Sequence, residues 1–432
     1  MELKKTKPTF GPLSGVKVVY QAVEVAAPTS AAMMADWGAD VIWLENTYYG
    51  DTMRDTMFIK EQARRNQRSV SMNPFSEEGR KVFFDLIKDA DIFIQAGKGP
   101  TYERKGLGDD VLWEVNPKLV IVHVSGFGQT GCEDRISRPA YDHMIQNGTV
   151  DKPFAAAPIP GDYFTAVNTV GAALAGVIHA RETGQGESID VAMFEVMARM
   201  GLYYNINYLN AGITYPRPAD RSQDLCGIGT FEAADGDIAI VLYGAKENHW
   251  LLDQIGLGHL WGTEDIPEGS TALWLTNPHA EEIQKHIEDW VKTKTLDELE
   301  ALLAEANIPA NRVYGIADMV EDEHYKARNC FIEWENREGE TIKGFKPAPR
   351  LQAQSRQGVA PHARARLRHQ GRVDRGRLFR GRDRSPRRER HRASGLNAPL
   401  AHPHVRNNAG DPGLPERQGT TLSLGLHPEC SA

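Results

Sequence analysis

Four places in the chain set charged or acidic side chains beside glycine, where backbone can come close to a ligand. Asp162 stands in Gly161-Asp162-Tyr163, ahead of a run rich in small residues. Taken alone it reads first as a helix N-cap before Tyr163, a role compatible with chemistry at the same carboxylate. Ser125–Gly131 (SGFGQTG) is a glycine-rich turn whose backbone N–H groups, at Gly126 and Gly128 above all, can stabilise an oxyanion. Lys98, Arg104 and Lys105 lie in GKGPTYERKG directly after a strand pattern. Open α/β sheets bind ligands at such strand ends, and cations there can hold phosphates; the alternative is a solvated basic loop. Arg64, Arg65 and Arg68 form a second basic cluster, for which a surface charge run is the competing reading. Tyr203, Tyr204 and Tyr208 could cage a quaternary ammonium, although aromatics at that spacing are more often core.

These residues need a scaffold, and the first third of the chain supplies an α/β alternation. Gly15–Gln21 (GVKVVYQ), Asp40–Glu45 (DVIWLE), Asp91–Gln95 (DIFIQ) and Leu119–Val124 (LVIVHV) read as buried strands. Helical stretches at Pro28–Trp37 and from Ser76 to Ile87 cross between them, the latter with acids in its first turn. Strands alternating with helices imply a parallel, doubly wound, Rossmann-like sheet. The small residues between Tyr163 and Ala180 suit a helix packed closely on that sheet. Beyond residue 200, Phe231–Tyr243 with Asp235-Gly236 reads as a β-hairpin, followed by helical patterns at Ala280–Thr293 and Leu296–Ala306. The expected organisation is a large Rossmann-like, ligand-binding domain at 1–200, a linker at 201–225, a smaller α+β domain at 226–310, and a return segment at 311–350.

The first strand runs into QAVEVAAP rather than G-x-G-x-x-G, which disfavours an NAD-dependent dehydrogenase. Walker A, HExxH and G-x-S-x-G patterns are also absent, and the four cysteines show neither metal spacing nor a disulfide framework. No metal is therefore expected. The start of the chain lacks a signal-like apolar core and no apolar run reaches membrane-spanning length. A cytoplasmic protein with no membrane partner is expected.

Four motifs in order carry a family resemblance over residues 1–350. They are Ala31–Glu45 with Gly50-Asp51 and Arg54; Arg64–Ser69; Ser125–Gly131 with Arg138-Pro139-Ala140-Tyr141-Asp142; and Gly161-Asp162-Tyr163 with Arg181–Gly186 and Asp190. Together they resemble the family III CoA-transferases, and Trp43 with Phe10–Leu13 points to the carnitine branch. The resemblance implies an interlocked homodimer acting on coenzyme A thioesters, with no permanently bound cofactor. It makes Asp162 the nucleophile that exchanges CoA between carnitine-like carboxylic acids. It implies that Lys98 and Lys105 contact CoA, the second at a position usually held by Arg. Arg104 is placed with them by its loop, and Arg64 and Arg68 are expected at the nucleotide end. Rival readings are a transferase for another acid, such as oxalate or succinate, an α-methylacyl-CoA racemase using His143, and a chain that binds CoA without turnover.

Two departures stand out. The segment between Asp142 and Asp162 is shorter than in relatives. Residues 351–432 hold 16 Arg, no Lys and six acids, a net charge of +10, whereas 1–350 hold 34 basic and 52 acidic residues, a net of −18. All eight Trp and thirteen Tyr precede residue 351. The tail is expected to be disordered and the product of a frameshift, because a neighbouring frame over Leu351–Ala393 can spell a family-like C-terminus. Arg without interleaved aromatics argues against a nucleic-acid partner.

Overall fold

The computed structural model describes residues 8–47, 50–56, 58–140, 159–215, 221–336, 339–351 and 363–365. Tyr141, Asp142 and His143, most of the shortened approach to Asp162, and nearly all of the tail lie outside the described residues.

Strands β1 (Lys17–Gln21), β2 (Asp40–Glu45), β3 (Gln67–Ser71), β4 (Ile92–Ala96), β5 (Val120–Ser125) and β6 (Ser188–Ala192) form one parallel sheet. A short edge strand, Ala363–Ala365, adds to β3, giving the order edge-β3-β2-β1-β4-β5-β6. These three residues, from the segment expected to be disordered, pair with the edge of β3.

The chain winds outward from β1 to β3, then crosses back to lay β4 on the other side of β1. The ends of β1 and β4 are thus the topological switch point, where open sheets of this kind take ligands. Successive side chains alternate between faces. Val18, Tyr20, Val41 and Trp43 face helix α1 (Ala26–Asp36) and the long helix Pro160–Thr183, while Val19, Ile42, Leu44 and Phe93 face α2 (Glu77–Ile87). Burial at every position of β2 and β5 follows from this covering on both sides.

The long helix is apolar and long enough to cross a bilayer by length and composition. Its Ala173, Gly176, Val177 and Ala180 are instead buried against α1 and the sheet. A Cβ on Gly176 would stand 2.7 Å from Val120 of β5, so the small residues let the helix seat closely. Ser76 caps α2 by accepting from the Gly79 N–H at 3.1 Å, as the sequence suggests.

β3 was not anticipated. Gln67 and Ser69 point inward and are buried, so the apolar alternation that marks a strand is missing. Their polarity is matched across the sheet: the Tyr20 hydroxyl donates to Gln67 at 2.7 Å, and Ser69 donates to Glu45.

A second core gathers around an antiparallel sheet of Ile228–Glu232, Asp237–Val241 and Ala310–Arg312, covered by helices Ala245–Gln254, Ala280–Lys292 and Leu296–Glu305. The expected hairpin turns at Asp235-Gly236, where the Ala233 N–H donates to the Gly236 carbonyl. After it, a hairpin of Phe331–Glu335 and Thr341–Phe345 meets Arg65. That guanidinium lies 5.4 Å from the Trp334 ring centre, donates to the Phe345 carbonyl at 2.8 Å and pairs with Asp36.

Candidate active site

A cleft of about 400 Å³ opens at the switch point. Its walls come from the segments that follow three strands: Val23–Ala27 after β1, Ala96–Lys98 after β4 and Gly126-Phe127 after β5, with Asp162 supplied by the long helix. Taken alone, Asp162 was open to a reading as the helix N-cap, besides the nucleophile that the resemblance implies. The cap position belongs to Ile159, and Asp162 is the third residue of the first helical turn. There the helix dipole favours a carboxylate by roughly 0.3–1 kcal/mol. The side chain is half-buried and lines the cleft, so a reacting group in the cleft can reach it.

Of the oxyanion candidates, Gly126 lines the cleft. A Cβ there would come within 2.0 Å of the Ala140 Cβ, so only glycine lets these two segments approach. Gly128 differs: its N–H donates to the Ser125 hydroxyl at 2.8 Å, and it is not among the described cleft residues. Its amide shapes the turn rather than facing the cavity.

The cations separate into two groups. Lys98 lines the cleft and is exposed. Arg104 is tied to it, donating to the Lys98 carbonyl at 3.4 Å and standing 3.7 Å from Glu133. Lys105 is exposed, with its ammonium 4.2 Å from the Phe75 ring centre. Arg64 and Arg68, the cations expected at the nucleotide end, are both held in ion pairs. Arg64 is buried, donates to Asp51 at 2.6 Å and to the Glu24 carbonyl at 3.0 Å, and lies 4.8 Å from the Trp43 ring centre. Arg68 pairs with Asp40 at the opening of β2, at the opposite end of the strands from the cleft. Of the tyrosines, Tyr204 packs edge-on to Tyr215 at 4.8 Å, Tyr208 is exposed, and neither lines the cleft; the Tyr203 side chain is outside the described residues.

Sequence reasoning assigned no role to Arg138 or Glu24, both of which line the cleft. Arg138 sits 2.9 Å from Asp134 and was visible only as part of a motif. Glu24 adopts φ 62°, whereas the other described non-glycine residues at positive φ are all asparagines (Asn66, Asn307 and Asn329), which tolerate it better. Such a conformation costs about 1–3 kcal/mol and persists only when its surroundings fix it. Here Asp51 accepts from the Glu24 N–H at 3.2 Å, Arg64 holds its carbonyl, and Thr52 donates to its carboxylate. Trp43 adds a hydrogen bond to the neighbouring Ala22 carbonyl at 3.1 Å. Arg64, Asp51 and Trp43 therefore shape the cleft from beneath.

A second, polar cavity of about 670 Å³ includes Gln95, Asp109, His123, Gln129, Ser188 and Asp190. His123 Nδ1 lies 2.7 Å from Gln95 Nε2, and Nε2 lies 3.1 Å from Asp109 Oδ2, to which Ser188 also donates. Burial pushes the Asp109 carboxyl up, but the hydrogen bonds from His123 and Ser188, with the His123 charge, outweigh it and hold the group below the usual carboxylate range. Asp190 accepts from the Gln129 N–H at 2.7 Å. The glycine-rich turn is thus pinned from this side. Among the described residues no cluster of His, Cys, Asp and Glu could hold a metal.

The family model for CoA-transferase family III matches residues 13–363 of the chain. The structure is similar to that of a CAIB/BAIF family protein from Brucella suis, with 26% identity and a TM-score of 0.66 over 83% of this chain and 97% of that one. It is also similar in fold to Rv3272 from Mycobacterium tuberculosis, with 23% identity and a TM-score of 0.68 over 82% of this chain and 98% of that one.

Proposed function

Because the chain belongs to the family III CoA-transferases, we propose that it exchanges CoA between carnitine-type betaines, with Asp162 as the covalent carrier. The donor is crotonobetainyl-CoA or γ-butyrobetainyl-CoA and the acceptor is carnitine. The observation that carries this reading is the Asp162 carboxylate at the first turn of the long helix, lining a cleft at the sheet's switch point beside Lys98 and Gly126.

The Asp162 carboxylate attacks the donor's thioester carbonyl. The C–S bond breaks, leaving a mixed anhydride and CoA thiolate. The thiolate then attacks the Asp162 acyl carbon, releasing the donor acid and forming an aspartyl-CoA thioester. The acceptor carboxylate displaces this thiolate to give a second anhydride. Attack of the thiolate on the acceptor's acyl carbon yields the new acyl-CoA and restores Asp162. Each tetrahedral intermediate places negative charge on an oxygen, and the Gly126 backbone is the cleft's glycine candidate for receiving it. Lys98, Arg104 and Lys105, grouped after β4, supply cations for the CoA phosphates.

A cytoplasmic homodimer completes the reading. Its support is the apolar outer face of the long helix, where Tyr163, Phe164, Val167 and Ile178 are exposed in the single chain. The test of substrate is competition among crotonobetainyl-CoA, succinyl-CoA and oxalyl-CoA as donors, with carnitine as acceptor. Preferred transfer from the betainyl donor is expected; preferred transfer from a dicarboxylic donor would reassign the acid.

A further inference from the structure

Two acidic residues line the cleft, in different settings. Among its described lining residues Asp162 and Glu24 are the acids, and Lys98 and Arg138 are the cations. Asp162 is assigned to the acyl carbon. Glu24 stands at the end of the β1 segment, fixed in the left-handed region through its N–H, its carbonyl and its side chain by Asp51, Arg64 and Thr52. A loop that only had to turn there would be served by glycine or asparagine without strain. The network instead holds a glutamate at the cavity wall. Phe127, the aromatic residue among the described lining, comes from the β5 segment, and its ring centre lies 6.1 Å from that of Phe194.

Resting on the betaine reading above, we infer that Glu24, with the face of Phe127, receives the quaternary ammonium of the acyl group and so sets its preference for cationic acids. A carboxylate attracts the fixed positive charge, and an aromatic face adds a cation–π contact suited to trimethylammonium. The ammonium carries no N–H, so charge and ring, rather than a hydrogen bond, are the chemistry it requires. The Thr52 contact is compatible with this, because a carboxylate has several acceptor positions. The loop cluster of Arg64, Asp51 and Trp43 then acts as positioning machinery for a specificity residue.

The experiment compares kcat/KM of the full chain for γ-butyrobetainyl-CoA with that for 5,5-dimethylhexanoyl-CoA, its uncharged carbon isostere. The wild type is expected to favour the cation, and Glu24→Gln to cut that preference at least about tenfold. Phe127→Leu reduces it by a smaller factor and serves as the second variant should Glu24→Gln fail to fold. A preference that survives in both variants overturns the role of Glu24 and Phe127 while leaving the betaine reading intact. Equal loss on both substrates reduces Glu24 to a loop support and also overturns it. A wild type that turns over other acyl-CoA donors without favouring the cation removes the betaine reading itself.

Discussion

The two cavities on either side of the glycine-rich turn use similar residue types to opposite effect. The polar cavity holds histidine, serine and aspartate within hydrogen-bond reach, a set that suggests catalysis on a residue count. Its geometry is wrong for that: Asp109 sits between His123 and Ser188, whereas an activated serine needs the histidine between itself and the carboxylate. Asp190 is likewise engaged with the Gln129 backbone. The cleft has fewer polar groups, but they come from separate elements and meet at the switch point around a helix-terminal carboxylate. Convergence of strand ends, rather than density of titratable groups, is what favours the cleft as the proposed reacting site.

The two cavities should differ most sharply at Asp162. Asp162→Asn should lower CoA transfer by at least about 10³-fold while circular dichroism stays unchanged, since an amide cannot form the anhydride. Comparable activity in this variant would move the chemistry out of the cleft.

Next in size is the support beneath the cleft. The Arg64–Asp51 pair is closed from solvent, with side-chain exposures of 2% and 0%. Arg64→Met leaves the Asp51 carboxylate buried without its partner and should cost about 3–5 kcal/mol, read as a lowered midpoint in urea denaturation. A change below about 1 kcal/mol would show that Arg64 is not a structural residue and leave CoA binding as its role.

The smallest effect belongs to the polar cavity. The Asp109 carboxyl is held below its ordinary value, so its contribution to stability is full above the unfolded-state value of about 3.9 and fades as pH falls through the lower folded value. Asp109→Asn should therefore flatten the acid limb of the stability profile between pH 5 and 2, roughly, while changing transfer rates at neutral pH far less than Asp162→Asn does. A loss of transfer as large as that of Asp162→Asn would make the polar cavity catalytic.

Strands β1, β2, β4 and β5 were legible because their β-branched runs are buried on both faces. β3 was not, because its inward positions are polar and are satisfied only by partners on β1 and β2. The same limit applies to the site. Asp162 could be singled out from its motif, but its place at the third helical position depends on where the helix begins. The ion pairs of Arg64 and Arg68 gave no local signal because their partners, Asp51 and Asp40, lie 13 and 28 residues earlier in the chain. Glu24 gave no local signal: its backbone conformation is imposed by Asp51 and Arg64 after the fold has formed.

The proposed transfer requires a covalent bond to Asp162, and mass spectrometry tests that bond directly. The chain is incubated with acyl-CoA, quenched with hydroxylamine and digested. A hydroxamate on the peptide bearing Asp162, formed in the wild type and missing from Asp162→Asn, is the result predicted. Robust CoA transfer with Asp162 unmodified, or with the adduct on another carboxylate, would contradict it.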